Sequence, residues 1–232
     1  MKILAIETAT DACSAALLID NEVAVEYELA PRKHTQLILP MIERLMAKAQ
    51  LKTTELDAIA FGQGPGAFTG LRIAAGVTQG IALSADLPVI PISTLAAMAQ
   101  QSHQQYNANN ILVALDARIN EVYWGKYVIV EGRASLSGNE QVILPEKIEP
   151  ILNESWIGVG SGWEAYRDEL QSKATEHLKQ IYPELTPSAE FIAQLASYEF
   201  QQGNVLPVEQ AQPIYLRDKV ADTIAERMKK SN

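Results

Sequence analysis

Apolar and polar positions partly alternate through the first thirty residues. KILAIE (2–7), CSAALLI (13–19) and EVAVEYEL (22–29) predict three strands of a meander, with TATD and Asp20-Asn21 as turns. The period then changes. In HTQLILPMIERLMAKAQ (34–50), Leu37, Met41, Leu45 and Lys48 share one helical stripe, and Ile38, Ile42, Leu45 and Ala49 its neighbour. Pro40 belongs in the first turn of that helix or at a kink. LDAIAFG (56–62) predicts a short buried strand, LRIAAGVTQGIALSA (71–85) a helix, LPVIPIS (87–93) a strand and TLAAMAQQSH (94–103) a further helix.

The polar stretch HQQYNANN (103–110) marks a boundary, dividing the chain into lobes 1–105 and 106–232. Beyond it, ILVALDARINEVYWGKYVIV (111–130) predicts two strands around a turn near 118–120. WIGVGSGW (156–163) predicts a strand ending in glycines, and residues 163–180 and 187–203 read as helical. A charged tail, RDKVADTIAERMKKSN, closes the chain. Each half runs from strands to helices, the pattern of two similar α/β lobes.

Charge narrows the function classes. With 19 basic against 28 acidic residues the net charge is −9, which argues against gripping nucleic acid without help. Cys13 is the single cysteine, so neither a disulfide framework nor a thiolate metal cluster is available. It alternates with apolar residues in a strand, the setting of a packed rather than a reactive thiol. Glu7 and Asp11 interrupt the apolar start, which therefore suits neither a signal peptide nor a membrane span. A cytoplasmic protein is expected.

The glycine-rich stretch GQGPGAFTGLR (62–72) poses the main chemical question. It fits G-x-G-x-x-G/A and lies between a strand and a helix, as a phosphate loop does. Pro65 removes a backbone donor from it, however, and no lysine occurs between Lys52 and Lys126 to reach a terminal phosphate. A tight turn before a helix capped by Thr69 is the better reading. That helix carries Gly76 and Gly80, each costing about 1 kcal/mol relative to alanine. Such a cost suits a helix approached closely by other backbone, of its own sheet or of another chain.

ILAIETAT, HTQLILPMI, FGQGPGAFTGLRIA, LDARINEVYWG and PIYLRD occur in this order in the bacterial TsaB (YeaZ) family of tRNA threonylcarbamoyladenosine biosynthesis proteins. The chain resembles that family over most of its length. The resemblance implies the actin-like (sugar kinase/Hsp70/actin) fold: two lobes, each a mixed β-sheet flanked by helices. It implies a non-catalytic partner of TsaD, which transfers threonylcarbamoyl to the adenosine next to the anticodon. The ATPase TsaE would dock on the pair, tRNA would be met only through the complex, and the chain would need no cofactor. A weak homodimer would use the same surface as TsaD. Two alternatives stay open: an independent ATPase or kinase of this fold, and a homodimeric interaction protein.

The resemblance also directs attention to residues. In ATPase members the first hairpin contacts phosphate, so Glu7 and Thr8, with Gly64 and Gly66, are candidates for a vestigial phosphate contact. A turn satisfied by its own side chains is the alternative. TsaD holds a metal through H-x-x-x-H on its first helix; here His34 is followed by Ile38, which cannot ligate, and His103 and His177 do not rebuild the pair. His34 then reads as a capping or surface residue. GVGSGW (158–163) is the second lobe's glycine cluster, without an acidic residue just ahead of it. Asp116 and Arg118 suit a salt bridge across a turn. No H-E-x-x-H or G-x-S-x-G supports a peptidase. The partner surface is expected on Leu37, Met41 and Leu45 of the first helix and Ala74, Val77, Thr78 and Ile81 of the second, as half of a four-helix contact. The alternative buries both stripes within the lobe.

Overall fold

The computed structural model describes residues 1–217, so most of the predicted charged tail lies outside the described residues. The first lobe opens with the expected meander: β1 (Lys2–Glu7), β2 (Ala12–Ile19) and β3 (Glu22–Leu29). Next come α1 (His34–Ala49), β4 (Ala58–Gly64), α2 (Phe68–Ala85), β5 (Val89–Ser93) and α3 (Thr94–Tyr106). The sheet order is β3-β2-β1-β4-β5, antiparallel across β1–β3 and parallel from β1 to β5.

Strand β1 reads as a continuous apolar run because both its faces are covered. Leu4 and Ile6 pack with Ile38, Met41, Ile42 and Leu45 of α1 and with Ala74 of α2. Ile3 and Ala5 face the opposite layer. Pro40 lies inside α1, beyond its first turn. Gln36, whose carbonyl loses its helical donor there, is exposed, which keeps the proline tolerable. Helix α2 begins at Phe68 with Ala67 as its N-cap and no side-chain cap, so Thr69 does not cap it. Backbone packing, described below, fixes that helix start instead.

The second sheet comprises β6 (Asn110–Arg118), β7 (Glu121–Val130), β8 (Arg133–Leu136), β9 (Gln141–Ile143), β10 (Trp156–Val159) and β11 (Leu178–Tyr182). Its order is β11-β10-β6-β7-β8, with β9 also on β7. The predicted helix over 163–180 resolves into α4 (Gly162–Ala165), α5 (Arg167–Ala174) and strand β11. Helix α3 packs on one face of this sheet, through Leu95, Met98 and Ala99. Trp163, Leu170 and Ala174 cover the other.

Helix α6 (Ala189–Gln201) corrects the expected division at residue 105. Phe191, Ile192, Leu195 and Ala196 pack on Ile3, Ala5 and Ile90 of the first sheet. Val89 and Leu206 then exchange backbone hydrogen bonds, 2.9 Å each. Residues 189–206 thus complete the first lobe, whose second sheet face would otherwise lie bare. Two mixed sheets flanked by helices, built alike, constitute the actin-like fold.

Candidate functional site

Gly62, Gly66 and Gly70 stand four residues apart and share one task. A Cβ on Gly62 would lie 2.0 Å from Oε2 of Glu7, one on Gly66 2.5 Å from the Ala9 carbonyl oxygen, and one on Gly70 1.9 Å from the Thr8 carbonyl oxygen. The loop and the start of α2 are therefore drawn onto the β1–β2 turn, where any side chain would collide with it. Ala67 N–H donates to the Ala9 carbonyl at 2.7 Å and completes the clasp. Gly64, at φ +107°, meets a different segment: its Cβ would stand 3.1 Å from the carbonyl oxygen of Ile214.

The clasp withdraws Glu7 and Thr8 from solvent, so the expected phosphate contact through them is corrected. Both are fully buried. The Thr8 hydroxyl donates to the Gly70 carbonyl at 2.7 Å. Oε1 of Glu7 accepts from Ala9 N–H at 2.6 Å, and Oε2 from the Thr94 hydroxyl at 2.9 Å. Burial raises the Glu7 carboxyl to about 7, against the pull of those donors. His34 is likewise neither cap nor surface residue. It is buried, with Nε2 2.8 Å from the Thr10 carbonyl oxygen and 3.2 Å from that of Ala12, pinning the same turn from the α1 side.

Between the lobes lies a cleft of about 700 Å³. Ala9, Asp11, Gly66 and Phe68 line its first-lobe wall; Asp116, Arg118 and Glu164 line the second. Asp116 and Arg118 form the expected ion pair at 2.9 Å. The second glycine cluster serves packing too. A Cβ on Gly158 would meet the Trp163 ring at 2.5 Å, and one on Gly160 the Ala114 carbonyl oxygen at 2.5 Å. Residues 211–217 cross the cleft mouth. Ile214 N–H donates to the Gln63 carbonyl at 2.8 Å, Arg72 Nε to the Tyr215 hydroxyl at 3.1 Å, and Arg217 pairs with Glu121. The Arg72 guanidinium also stacks 3.8 Å above the Phe68 ring.

The expected partner stripe divides on inspection. Met41, Leu45, Ala74 and Thr78 are buried against the protein's own sheet, which corrects their assignment to a partner surface. A helix lying on a sheet buries a broad stripe, and here that stripe takes in both of the neighbouring rows on α1. Leu37, Val77 and Ile81 are partly buried at its edge. Leu39 (54% exposed) and Leu83 (72% exposed) point outward, and Gly76 and Gly80 share the outer face of α2. Among the described residues, a Cβ on either glycine would meet nothing within 4 Å.

A sequence model of the family described as "TsaD: tRNA N6-adenosine threonylcarbamoyltransferase" matches residues 19–225. The chain is 41% identical, over 95% of its length and 96% of the relative's, to "tRNA threonylcarbamoyladenosine biosynthesis protein TsaB" of Escherichia coli (strain K12). The protein of that name from Haemophilus influenzae is 42% identical over 95% of each chain. The chain belongs to the TsaB family. A solved structure titled "YeaZ from Pseudomonas aeruginosa" superposes with a TM-score of 0.87 at 40% identity, covering 93% of this chain and 99% of that one.

Against this TsaB framework, two features escaped the sequence reading. One is the crossing segment, whose PIYLRD motif was visible but whose docking site was not. The other is a polar cluster between the lobes, in which the Glu140 carboxylate accepts from Ser93 and Tyr127 hydroxyls. Burial raises both Glu140 and Tyr127 above their ordinary ranges. Among the described residues, no three His, Cys, Asp or Glu side chains are grouped to hold a metal ion. No described helix is long and apolar enough to cross a membrane.

Proposed function

We propose that the chain is a non-catalytic partner subunit in tRNA threonylcarbamoyladenosine formation, acting in the cytoplasm beside TsaD. The outward face of α1 and α2 docks on the equivalent helices of TsaD, with Leu39, Leu83 and the part-buried Leu37, Val77 and Ile81 as contacts. The observation that carries this reading is the pair Gly76 and Gly80. Each lowers helix stability by about 1 kcal/mol, yet no atom of the described residues needs the space they leave. A second helix can approach closely there and recover the cost in packing.

The buried Glu7 and Thr8 favour a supporting role over an independent ATPase, because the turn that would meet phosphate is occupied by internal hydrogen bonds. TsaE joins the pair, and tRNA is engaged by the assembly rather than by this acidic chain alone. A homodimer through the same face is the competing arrangement and is displaced by TsaD. Reconstitution tests the reading: TsaD and TsaE with tRNA and threonylcarbamoyl-adenylate should modify tRNA only when this chain is added. Equal modification without it, or ATP hydrolysis by this chain alone, contradicts the proposal.

A further inference from the structure

We infer that residues 211–217 are a strap that sets the opening of the inter-lobe cleft and links that opening to helix α2. On the first lobe, Gln79 Nε2 of α2 donates to the Ala211 carbonyl at 2.8 Å. Ile214 N–H reaches the glycine loop, and Tyr215 takes the Arg72 hydrogen bond and packs 5.6 Å from the Phe68 ring. On the second lobe, Arg217 pairs with Glu121 and donates to the Arg118 carbonyl at 3.2 Å. Only Leu216 separates the two grips. So short a piece of chain has no slack, and the lobes cannot part without releasing one end.

The second-lobe grip is built to hold. The Arg217 and Glu121 side chains are only 14% and 30% exposed, so their charge-assisted bond is largely shielded from water. Its anchor is a two-residue hairpin turn with Arg118, Ile119 and Asn120 all at positive φ (63°, 54° and 59°). That conformation is strained for β-branched Ile119, and the Arg217 bond to the Arg118 carbonyl helps keep it. Because Arg72 and Gln79 belong to α2, a partner seated on α2 acts on the cleft through the strap. This last link rests on the partner reading above; the strap itself does not.

Paired spin labels at Thr54→Cys and Asp168→Cys, with Cys13→Ala, report the lobe separation in the full chain. Pulsed dipolar spectroscopy should give one narrow distance distribution. Arg217→Gln and Glu121→Gln should each move it several ångströms longer or broaden it, and the double variant should go no further than either. Amide exchange checks that the strap has been released. Faster exchange at 214–217 with an unchanged distance overturns the strap. Added TsaD should shift the distance in the otherwise unsubstituted chain and not in Arg217→Gln. TsaD that binds and leaves both distributions unaltered overturns the link to α2, whereas TsaD that fails to bind removes the partner reading and leaves the strap comparison intact.

Discussion

Gly70 and Gly76 lie on one helix, yet an added methyl should have opposite effects at the two. At Gly70 the methyl meets the Thr8 backbone at 1.9 Å, and no side chain can move aside to relieve it. Gly70→Ala should destabilise by roughly 2–4 kcal/mol. At Gly76 the methyl enters open space, so Gly76→Ala should stabilise by about 0.5–1 kcal/mol. Denaturant unfolding of both variants checks this, and the same sign at the two sites would contradict the clasp. Glu7 supplies a pH dependence. Its folded pKa, about 7, lies above the ordinary 4.5, so the native state holds its proton more tightly than the unfolded chain does. The stability from this site is fullest below the ordinary value and falls as pH rises toward 7, by roughly 3 kcal/mol in all. Glu7→Gln mimics the protonated acid. Its stability relative to the parent should grow between about pH 5 and pH 8 and then level off; a constant difference would show that the carboxylate is not titrating in place.

Helix α2 presents two faces with separate duties, and only one was legible in the sequence. The sequence predicts the helix over 71–85, whose buried face takes in Leu71, Ala74, Thr78 and Ala82. It does not tell which of two neighbouring stripes a sheet will cover, and the sheet covered more than one on α1. Met41 and Leu45 therefore went inside, although their spacing alone suited a partner surface equally well. The glycines were legible as an anomaly and became interpretable only when the space beside each was known. Gly62, Gly66 and Gly70 lack that space, while Gly76 and Gly80 have it. Replacing Gly76 and Gly80 together by alanine should raise the melting temperature and weaken TsaD binding at least tenfold (about 1.4 kcal/mol). A stabilised variant that binds TsaD normally would deny the outer face its role.

Across the whole molecule, chain order and spatial order part company at α6. Its sequence, AEFIAQLASYEF, announces an amphipathic helix but carries no sign of which sheet it will cover. The strands preceding it belong to the second lobe, so the boundary drawn at 105 misplaced it. Strand β11 was lost for a similar reason: LKQIY is too short to reveal its period, and its identity comes from pairing with β10. The meander, the parallel strands and the glycine loop were legible because their signals are local. The returning segments were not, because long-range packing decides them. The proposed contact for TsaD is the outward face of α1 and α2. Isothermal titration of TsaD into the unsubstituted chain and into Leu83→Glu tests it most directly, since Leu83 is 72% exposed and its replacement spares the core. Binding to the first and its loss in the second are expected, with melting temperatures within a degree or two of each other; equal affinity in a folded Leu83→Glu chain would contradict that contact.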